Sequence, residues 1–552
     1  MPRDKRSAFA RRSYLAARSY FCQWSFSGLV GAVLGFALAL TPSLLPRPGA
    51  FLGVVAGVGT AVGYGLGLLV GRLLRALRVP RAGEAAMRRW RRGLAIVGPL
   101  VVLVALVVGG LWQLQVQKLS GEEPSQVGLL VALVVAPLVA LLLLQLGRGL
   151  RWLARRLARL LGRWVPRRVA QGIAVVAVAA FAWWVISGVI VDSLMAMFDT
   201  IYADANAGTD PGVVQPEAPQ RSGSPASLLP WSTLGSQGRN FVAGGPTPAS
   251  LQAFSGRPAR EPIRVYVGLD SAGTAQQRAP LAVQELNRTG AFDRPVLVVA
   301  GATGTGWLEP ETMSALEYEW NGDSAIVTIQ YSYLPSWISF LTDQARAQEA
   351  GRALYQAVHT AWRARPAGSR PELVSYGLSL GSFTAQSAFP SIDGVVSGTD
   401  AAFYVGTPGF SQPWLDVTAA RDPGSPQWLP VYQGGKVVRF SAGAQLTAAG
   451  GRPHVLYLQH GNDPVVWWDW NLLWARPDWL SGEHAPGVSP HMRWLPVVTF
   501  LQVTIDQFFG TAVPLGQGHN YANSSVAAWA LVVPPDGWTA ADSARLQKIV
   551  VP

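Results

Sequence analysis

Before residue 199 the chain alternates five long apolar stretches with short polar connections, and after residue 262 it changes to short apolar runs separated by amphipathic segments. The five stretches, residues 24–45, 51–70, 93–112, 127–146 and 169–191, are each long enough to cross a bilayer, which predicts an N-terminal α-helical transmembrane bundle of about five spans. The later part begins with "IRVYVGL" from Ile263, a helix over 274–289, "PVLVVAG" from Pro295, a helix around 311–320 and "SAIVTIQYSY" from Ser324. A helix over 339–364 follows, then "ELVSY" from Glu372, a helix after Gly381, "AAFYVG" from Ala401 and "HVLYLQH" from His454. Strands alternating with helices predict a mainly parallel sheet covered on both faces, with sites at the carboxyl ends of its strands. "WLPVVTFLQVTIDQFFG" from Trp494 reads as a helix at least as well as a strand.

This pattern divides the 552 residues into a membrane region, 1–198, a connector rich in Gly, Pro and Ser, 199–262, and a catalytic region, 263–552. Within the connector, "SLLPWSTLG" and "GRNFVAGG" carry aromatic and aliphatic residues that a free linker has little use for. Cys22 is the only cysteine, so no intramolecular disulfide forms and the exterior half is held by its core.

The net charge of +13 invites a nucleic-acid reading until the arginines are placed. Arg72, Arg75, Arg78, Arg81, Arg88, Arg89, Arg91 and Arg92 lie between the second and third stretches. Arg148, Arg151, Arg155, Arg156, Arg159, Arg163, Arg167 and Arg168 lie between the fourth and fifth. The tail before the first stretch is basic too, with Arg3, Lys5, Arg6, Arg11, Arg12 and Arg18, whereas the alternate connections hold only Arg47 and, in the other, Lys118 against Glu122 and Glu123. The positive-inside rule puts the N-terminus in the cytoplasm and, after five crossings, the catalytic half outside. The arginines are then anchors for anionic lipid head groups, with no nucleic-acid partner implied. "RWLARRLARLLGRW" from Arg151 has the helical spacing of a segment lying along the inner membrane surface. Gly59, Gly63, Gly67 and Gly71 form a stripe of period four suited to close helix packing within the bundle. "ALA" at 37–39 resembles a signal-peptidase site, although apolar residues run on to Leu45; the catalytic half lies outside either way.

The chemistry centres on "ELVSYGLSLGSFTAQSAF", where Ser379 stands between Gly377 and Gly381. A bare GxSxG means little in a chain with 59 glycines. Here it follows a strand and opens a helix, the arrangement of a nucleophile elbow. A serine hydroxyl needs a base to take its proton and a carboxylate to hold that base. Asp463 lies in "GNDPVV" just past a strand, and His519 lies in the glycine-rich "GQGHNY" before a terminal helix. Rivals exist: His460 at a strand end and Asp469 are the chief alternatives, Asp478 a weaker one. His359, His454, His484 and His491 read as structural or surface residues.

The order Ser, Asp, His resembles the α/β-hydrolase fold. With "GLDSA", "ELNRTGAFDR", "GLSLG", "DPVVWW", "GHNY" and the multi-span N-terminal half, the chain looks like the actinobacterial family of membrane-anchored α/β-hydrolases. That resemblance implies a serine hydrolase outside the cell membrane and names no substrate. Oxyanion donors are expected from the backbone of Leu380 and from Ala302 or Thr303 in the loop "VVAGATGTGW", whose spacing does not make a dinucleotide motif. No metal-ligand cluster is apparent and no cofactor is expected.

Trp467, Trp468, Trp470, Trp474, Trp479 and Trp494 lie between the acid and the base. They suit an ordinary core, or a cap over an acyl pocket, with Trp468 and Trp474 as candidate substrate contacts. The expected substrate is therefore a lipid-like acyl ester beside a membrane. A transacylase using the same triad and a non-catalytic membrane organiser remain alternatives.

Overall fold

The computed structural model describes residues 24–80, 82–443, 445–446 and 450–551. The basic tail, Cys22 and Arg81 lie outside them. Two compact units emerge. The first holds the described residues up to Lys118 together with Glu123–Trp183 and Ser489–Ile505; the second holds Leu119–Glu122, Trp184–Val488 and the residues from Asp506 on.

In the first unit, α1 (Phe26–Ala39), α2 (Gly49–Ala76), α3 (Glu84–Leu119), α4 (Val127–Leu161) and α5 (Arg167–Val185) follow the five apolar stretches. Among the described residues, four helices are long and apolar enough to cross a membrane, α5 running on through a π-helical turn, Ile186–Val191, to Ala207. The first stretch differs. Its helix has only 14 residues, because Pro42 denies the next turn a donor, and the chain continues as an irregular run with Ser43, Leu44 and Leu45 wholly buried. Irregular backbone in an apolar setting is tolerated only when protein covers it, as the burial of these three residues provides.

The glycine stripe of α2 faces α1 within the bundle. A methyl on Gly63 would stand 2.1 Å from the carbonyl oxygen of Gly31, and one on Gly67 2.0 Å from that of Ser27. Arginines 151–159, expected along the membrane surface, instead form the end of the continuous 35-residue α4; Gly147 and Gly149 lower helix propensity without ending the helix. The ambiguous segment after Trp494 is helical over Val498–Asp506. Gln502 donates its side-chain amide to the Thr41 carbonyl at 3.0 Å, and Ile505 packs on a cluster that includes Leu40, Leu52, Val55 and Ala136.

The second unit is built on an eight-stranded sheet in the order β1-β3-β2-β4-β5-β8-β6-β7. Its strands are β1 (Ile263–Val267), β2 (Val296–Gly301), β3 (Ser324–Ile329), β4 (Glu372–Leu378), β5 (Ala401–Val405), β6 (Val438–Ala442), β7 (Gln445–Leu446) and β8 (Val455–Leu458). Seven are parallel, and only the short edge strand β7 runs antiparallel, against β6. Strands β1 to β3 are buried at every position, as unbroken apolar runs such as "VLVVAG" require when helices cover both faces. The expected helix over 339–364 is two, Ser336–Thr342 and Gln344–Arg363, separated at Asp343.

The connector is ordered and belongs to this unit. Ser222 donates its N–H to the Arg264 carbonyl at 3.0 Å, placing the connector beside β1, and the Arg221 guanidinium bonds Glu261 and the Val242 carbonyl. Arg264 meets Glu317 through two bonds of 2.7 and 2.6 Å and gives a third to the Phe241 carbonyl, so a buried ion pair has its donors used.

Candidate active site

β4 delivers Ser379 to the carboxyl edge of the sheet, and the helix Leu380–Gln386 leaves at once. Ser379 sits at φ 59°, ψ −132°, a conformation a side-chain-bearing residue rarely adopts and one that a nucleophile elbow demands. The flanking glycines permit it. A methyl on Gly377 would stand 2.3 Å from the Gly381 carbonyl oxygen, and one on Gly381 2.3 Å from that of Gly301. The Ser379 N–H donates to the Val405 carbonyl at 2.8 Å, tying the turn to the end of β5.

The next residue, Gly406, lies against His519: a methyl there would be 2.6 Å from the imidazole Cε1. The end of β5 thus brings the serine turn and the histidine loop together. His519 Nδ1 stands 2.7 Å from Asp463 Oδ2, and a carboxylate partner makes that nitrogen the donor. Its Nε2 is buried and has no hydrogen-bond partner among the described residues, leaving a lone pair for a serine proton. Asp463 is fully buried at the start of a short helix after β8; its Oδ1 accepts the Val465 N–H at 2.8 Å. Tyr521 donates its hydroxyl to Asp463 Oδ2 at 2.6 Å and accepts the His460 N–H at 3.0 Å. Burial and then the Asp463 charge hold the Tyr521 phenol well above its ordinary range, so it stays a donor.

The rivals are placed elsewhere. His460 stacks on Tyr521 at 4.0 Å and bonds the Gly518 carbonyl through Nδ1, and burial pushes its pKa down, which keeps it neutral. Asp469 caps the turn at Asn471, and Asp478 pairs with Arg421. His359 lies between Tyr355 and Trp362, His454 bonds Thr399, and His491 faces Trp112; His484 is half-buried.

Residues 263–546 match the profile of an alpha/beta-hydrolase family, and residues 40–246 match the N-terminal region that accompanies it. The chain belongs to this alpha/beta-hydrolase family. No curated protein and no solved structure matches it.

In this hydrolase the Leu380 N–H is the first of its helix and has no partner within it. Of the two expected companions, Thr303 gives its N–H to the Trp307 carbonyl at 3.2 Å, in a turn closed by Gly306, and is engaged. Ala302 lies beside Gly381, its carbonyl carbon 3.3 Å from where a methyl on Gly381 would stand, and is the candidate that remains. Farther along the same loop, Glu309 is buried on the hydroxyls of Thr312 and Ser525, and burial raises its carboxyl to about 7. Among the described residues, no group of three or more His, Cys, Asp or Glu side chains is placed to hold a metal.

The two candidate substrate tryptophans part company. Trp468 is buried and joins an aromatic chain, Trp468 to Phe340 at 5.0 Å, Phe340 to Phe410 at 4.7 Å and Phe410 to Phe383 at 5.1 Å, that ends on the helix opened by the elbow. Trp474 is 64% exposed and stands outside that chain. Trp467 and Trp479 are core residues, the former donating its indole N–H to the His460 carbonyl. Tyr521, Gly406 and Glu309 were not singled out from the sequence. The motif "GHNY" already contained the tyrosine, and only a contact across the sheet edge reveals what it does.

Proposed function

We propose that the protein is a membrane-anchored serine hydrolase that cleaves lipid-like acyl esters outside the cytoplasmic membrane through a Ser379–His519–Asp463 acyl-enzyme mechanism. The observation that carries this reading is the buried Asp463–His519 pair, with Nε2 uncommitted, joined through Val405 and Gly406 to a strained serine turn. Ser379 Oγ attacks the ester carbonyl carbon while His519 Nε2 takes its proton. The developing oxyanion is held by the N–H groups of Leu380 and Ala302. Collapse expels the alcohol, which takes the proton from His519, and leaves an acyl-serine. Water then adds by the same route, releasing the acid and restoring the hydroxyl. Asp463 stabilises the imidazolium formed in each step, and Tyr521 and the Val465 N–H hold that carboxylate in place.

The external placement rests on five crossings, although α1 is short. The Trp24 carbonyl accepts from Arg91, and the Arg47 N–H donates to Gln113, at 3.2 and 3.3 Å. On α3 those partners are separated by about 22 residues, roughly 33 Å of helix, which is the thickness of a hydrocarbon core. The segment from Trp24 to Arg47 therefore covers the same span as α3, its second part as buried irregular chain. With the arginines at the Trp24 end on the cytoplasmic side, the hydrolase lies outside. The aromatic chain through Trp468 and the membrane setting support a lipid-like acyl group.

A fluorophosphonate probe should label the wild-type protein at Ser379 and leave Ser379→Ala unlabelled. Mass spectrometry of the trapped acyl-enzyme identifies the acyl group, and an added acceptor alcohol reports transfer in place of hydrolysis. Labelling that persists in Ser379→Ala would overturn the assignment. In a Cys22→Ser background, a cysteine at the exposed Glu217 should react with an impermeant maleimide in intact cells and one at the exposed Ala85 should not; the reverse would overturn the orientation.

A further inference from the structure

A cavity of about 1480 Å³ lies in the first unit among α2, α3, α4 and α5. Among the described residues seven arginines line it: Arg72 and Arg75 of α2, Arg91 of α3, Arg151, Arg155 and Arg159 of α4, and Arg167 of α5. Among the described residues, no acidic side chain lines it. Arg75 bonds the Gly71 carbonyl and Arg91 that of Trp24. The other five make no hydrogen bond or ion pair with any described residue.

Such a concentration of like charge works against the fold unless an anion joins it. Arg151, Arg155 and Arg159 repeat every four residues, so they share one face of α4, a spacing at which like charges disfavour the helix. Arg151 also lies within electrostatic reach of Arg72 and Arg148. Guanidinium forks match phosphate oxygens in pairs, which ammonium groups do not. Apart from Ser25, Ser27 and Gln171, the rest of the wall is apolar, with Phe26, Leu68, Leu74, Trp152 and Val175 among its residues. A soluble anion has no use for that surface; an acyl or isoprenoid chain does. The volume exceeds the roughly 300–1,000 Å³ of an ordinary small-molecule pocket, leaving room for a head group and the first part of a chain.

We propose that this arginine-walled cavity binds the phosphate head group of an anionic membrane lipid, with the lipid chain lying on the apolar wall. The inference does not rest on the catalytic reading, because none of these residues belongs to the hydrolase site.

The test uses the full-length protein in a neutral detergent, with phosphatidylglycerol, cardiolipin, phosphatidylcholine or inorganic pyrophosphate added and binding followed by native mass spectrometry and thermal shift. The triple variant Arg151→Gln, Arg155→Gln, Arg159→Gln is compared with the control triple Arg156→Gln, Arg163→Gln, Arg168→Gln, whose residues do not line the cavity. Saturable binding of an anionic lipid, weakened about tenfold or more in the cavity triple and little changed in the control, is the expected result. Equal weakening in both triples would mean general attraction to a basic surface and overturn the proposal. So would pyrophosphate stabilising the protein as strongly as the lipids do, since the site would then take a soluble phosphate. If the cavity triple does not elute as a folded protein, Arg72→Gln supplies the same comparison from α2.

Discussion

Gly406 follows β5 at φ +52°, and a methyl group built on it lies 2.6 Å from Cε1 of His519 and 2.8 Å from Cε2 of Tyr521. Carbon atoms in contact settle at about 3.5–4.0 Å, so in Gly406→Ala the imidazole must retreat by roughly 1 Å. His519 has little freedom to do so, with Nδ1 held by Asp463 and its N–H held by the Gly510 carbonyl. A displacement of that size in a catalytic group costs on the order of 10² in rate. The substitution also places an L-residue in the left-handed region, a backbone cost of about 1–2 kcal/mol. Gly424→Ala separates the two effects, because Gly424 has φ +87° and nothing within 4 Å of its missing methyl. With a soluble short-chain ester, Gly406→Ala should lose about a hundredfold in kcat/KM, and Gly424→Ala should stay within about threefold of wild type. Comparable kcat/KM for the two variants would refute the placement of His519 against the end of β5.

The remaining expectations concern the same neighbourhood. Tyr521→Phe removes the hydroxyl from Asp463 and leaves the buried His460 N–H unpaired, so it should destabilise the protein by about 2–3 kcal/mol in chemical denaturation and lower kcat about tenfold. Asp463→Asn and His519→Ala should each lose about 10⁴-fold in ester turnover, and greater damage from Asp469→Asn or His460→Ala would reassign the acid or the base. Glu309, raised from 4.5 to about 7 by burial and then by the charge of Glu311, against the opposing pull of Thr312 and His519, stays protonated in the folded protein at pH values where the unfolded chain ionises it. Its contribution to stability is therefore present in full below pH 4.5 and declines as pH rises to 7, by about 3 kcal/mol in all. Glu309→Gln should remove that decline in denaturation midpoints measured from pH 5 to 8, and an unchanged slope would show that the carboxyl is not held neutral. Trp468→Ala should flatten the dependence of ester hydrolysis on acyl length, and Trp474→Ala, at an exposed position, should not; the opposite ranking would remove the aromatic chain from the acyl pocket.

The residues most legible in the sequence are those whose chemistry depends on local chain geometry. Ser379 was visible because a strand, two glycines and a helix are contiguous, and the capping of the helix Ala275–Thr289 by Thr274 is equally local. Asp463 could be proposed from a turn after a strand, but its preference over Asp469 needs the bonds from His519 and Tyr521, which lie more than fifty residues away. Gly406 has no sequence signal at all, since its role is a clearance between two loops. The same holds for secondary structure. The break at Asp343 goes with a carboxylate that accepts the Ser332 hydroxyl at 2.7 Å, and β6, in "KVVRFSAG", is recruited by pairing with β8, a partner that periodicity does not reveal. The premature end of α1 was legible in principle, for Pro42 stands within the apolar stretch, yet hydropathy alone ran across it.

The boundary between the two units shows why a linear division misleads in this chain. Composition places it near residue 199, and the two family regions, 40–246 and 263–546, suggest separate modules. Compactness places it at Trp183–Trp184 and assigns the connector to the hydrolase unit. It also assigns Ser489–Ile505, deep within the second family region, to the first unit, where Gln502 bonds Thr41 and Ile505 packs on Leu52 and Ala136. That excursion falls between Asp463 and His519. The chain that returns from it reaches Gly510 within a few residues, and the Gly510 carbonyl accepts the His519 N–H at 2.6 Å. The apolar character of "WLPVVTFLQVTI", which made it ambiguous between strand and helix, goes with its place in the first unit, where Ile505 packs on the cluster around Leu40, Leu52 and Ala136.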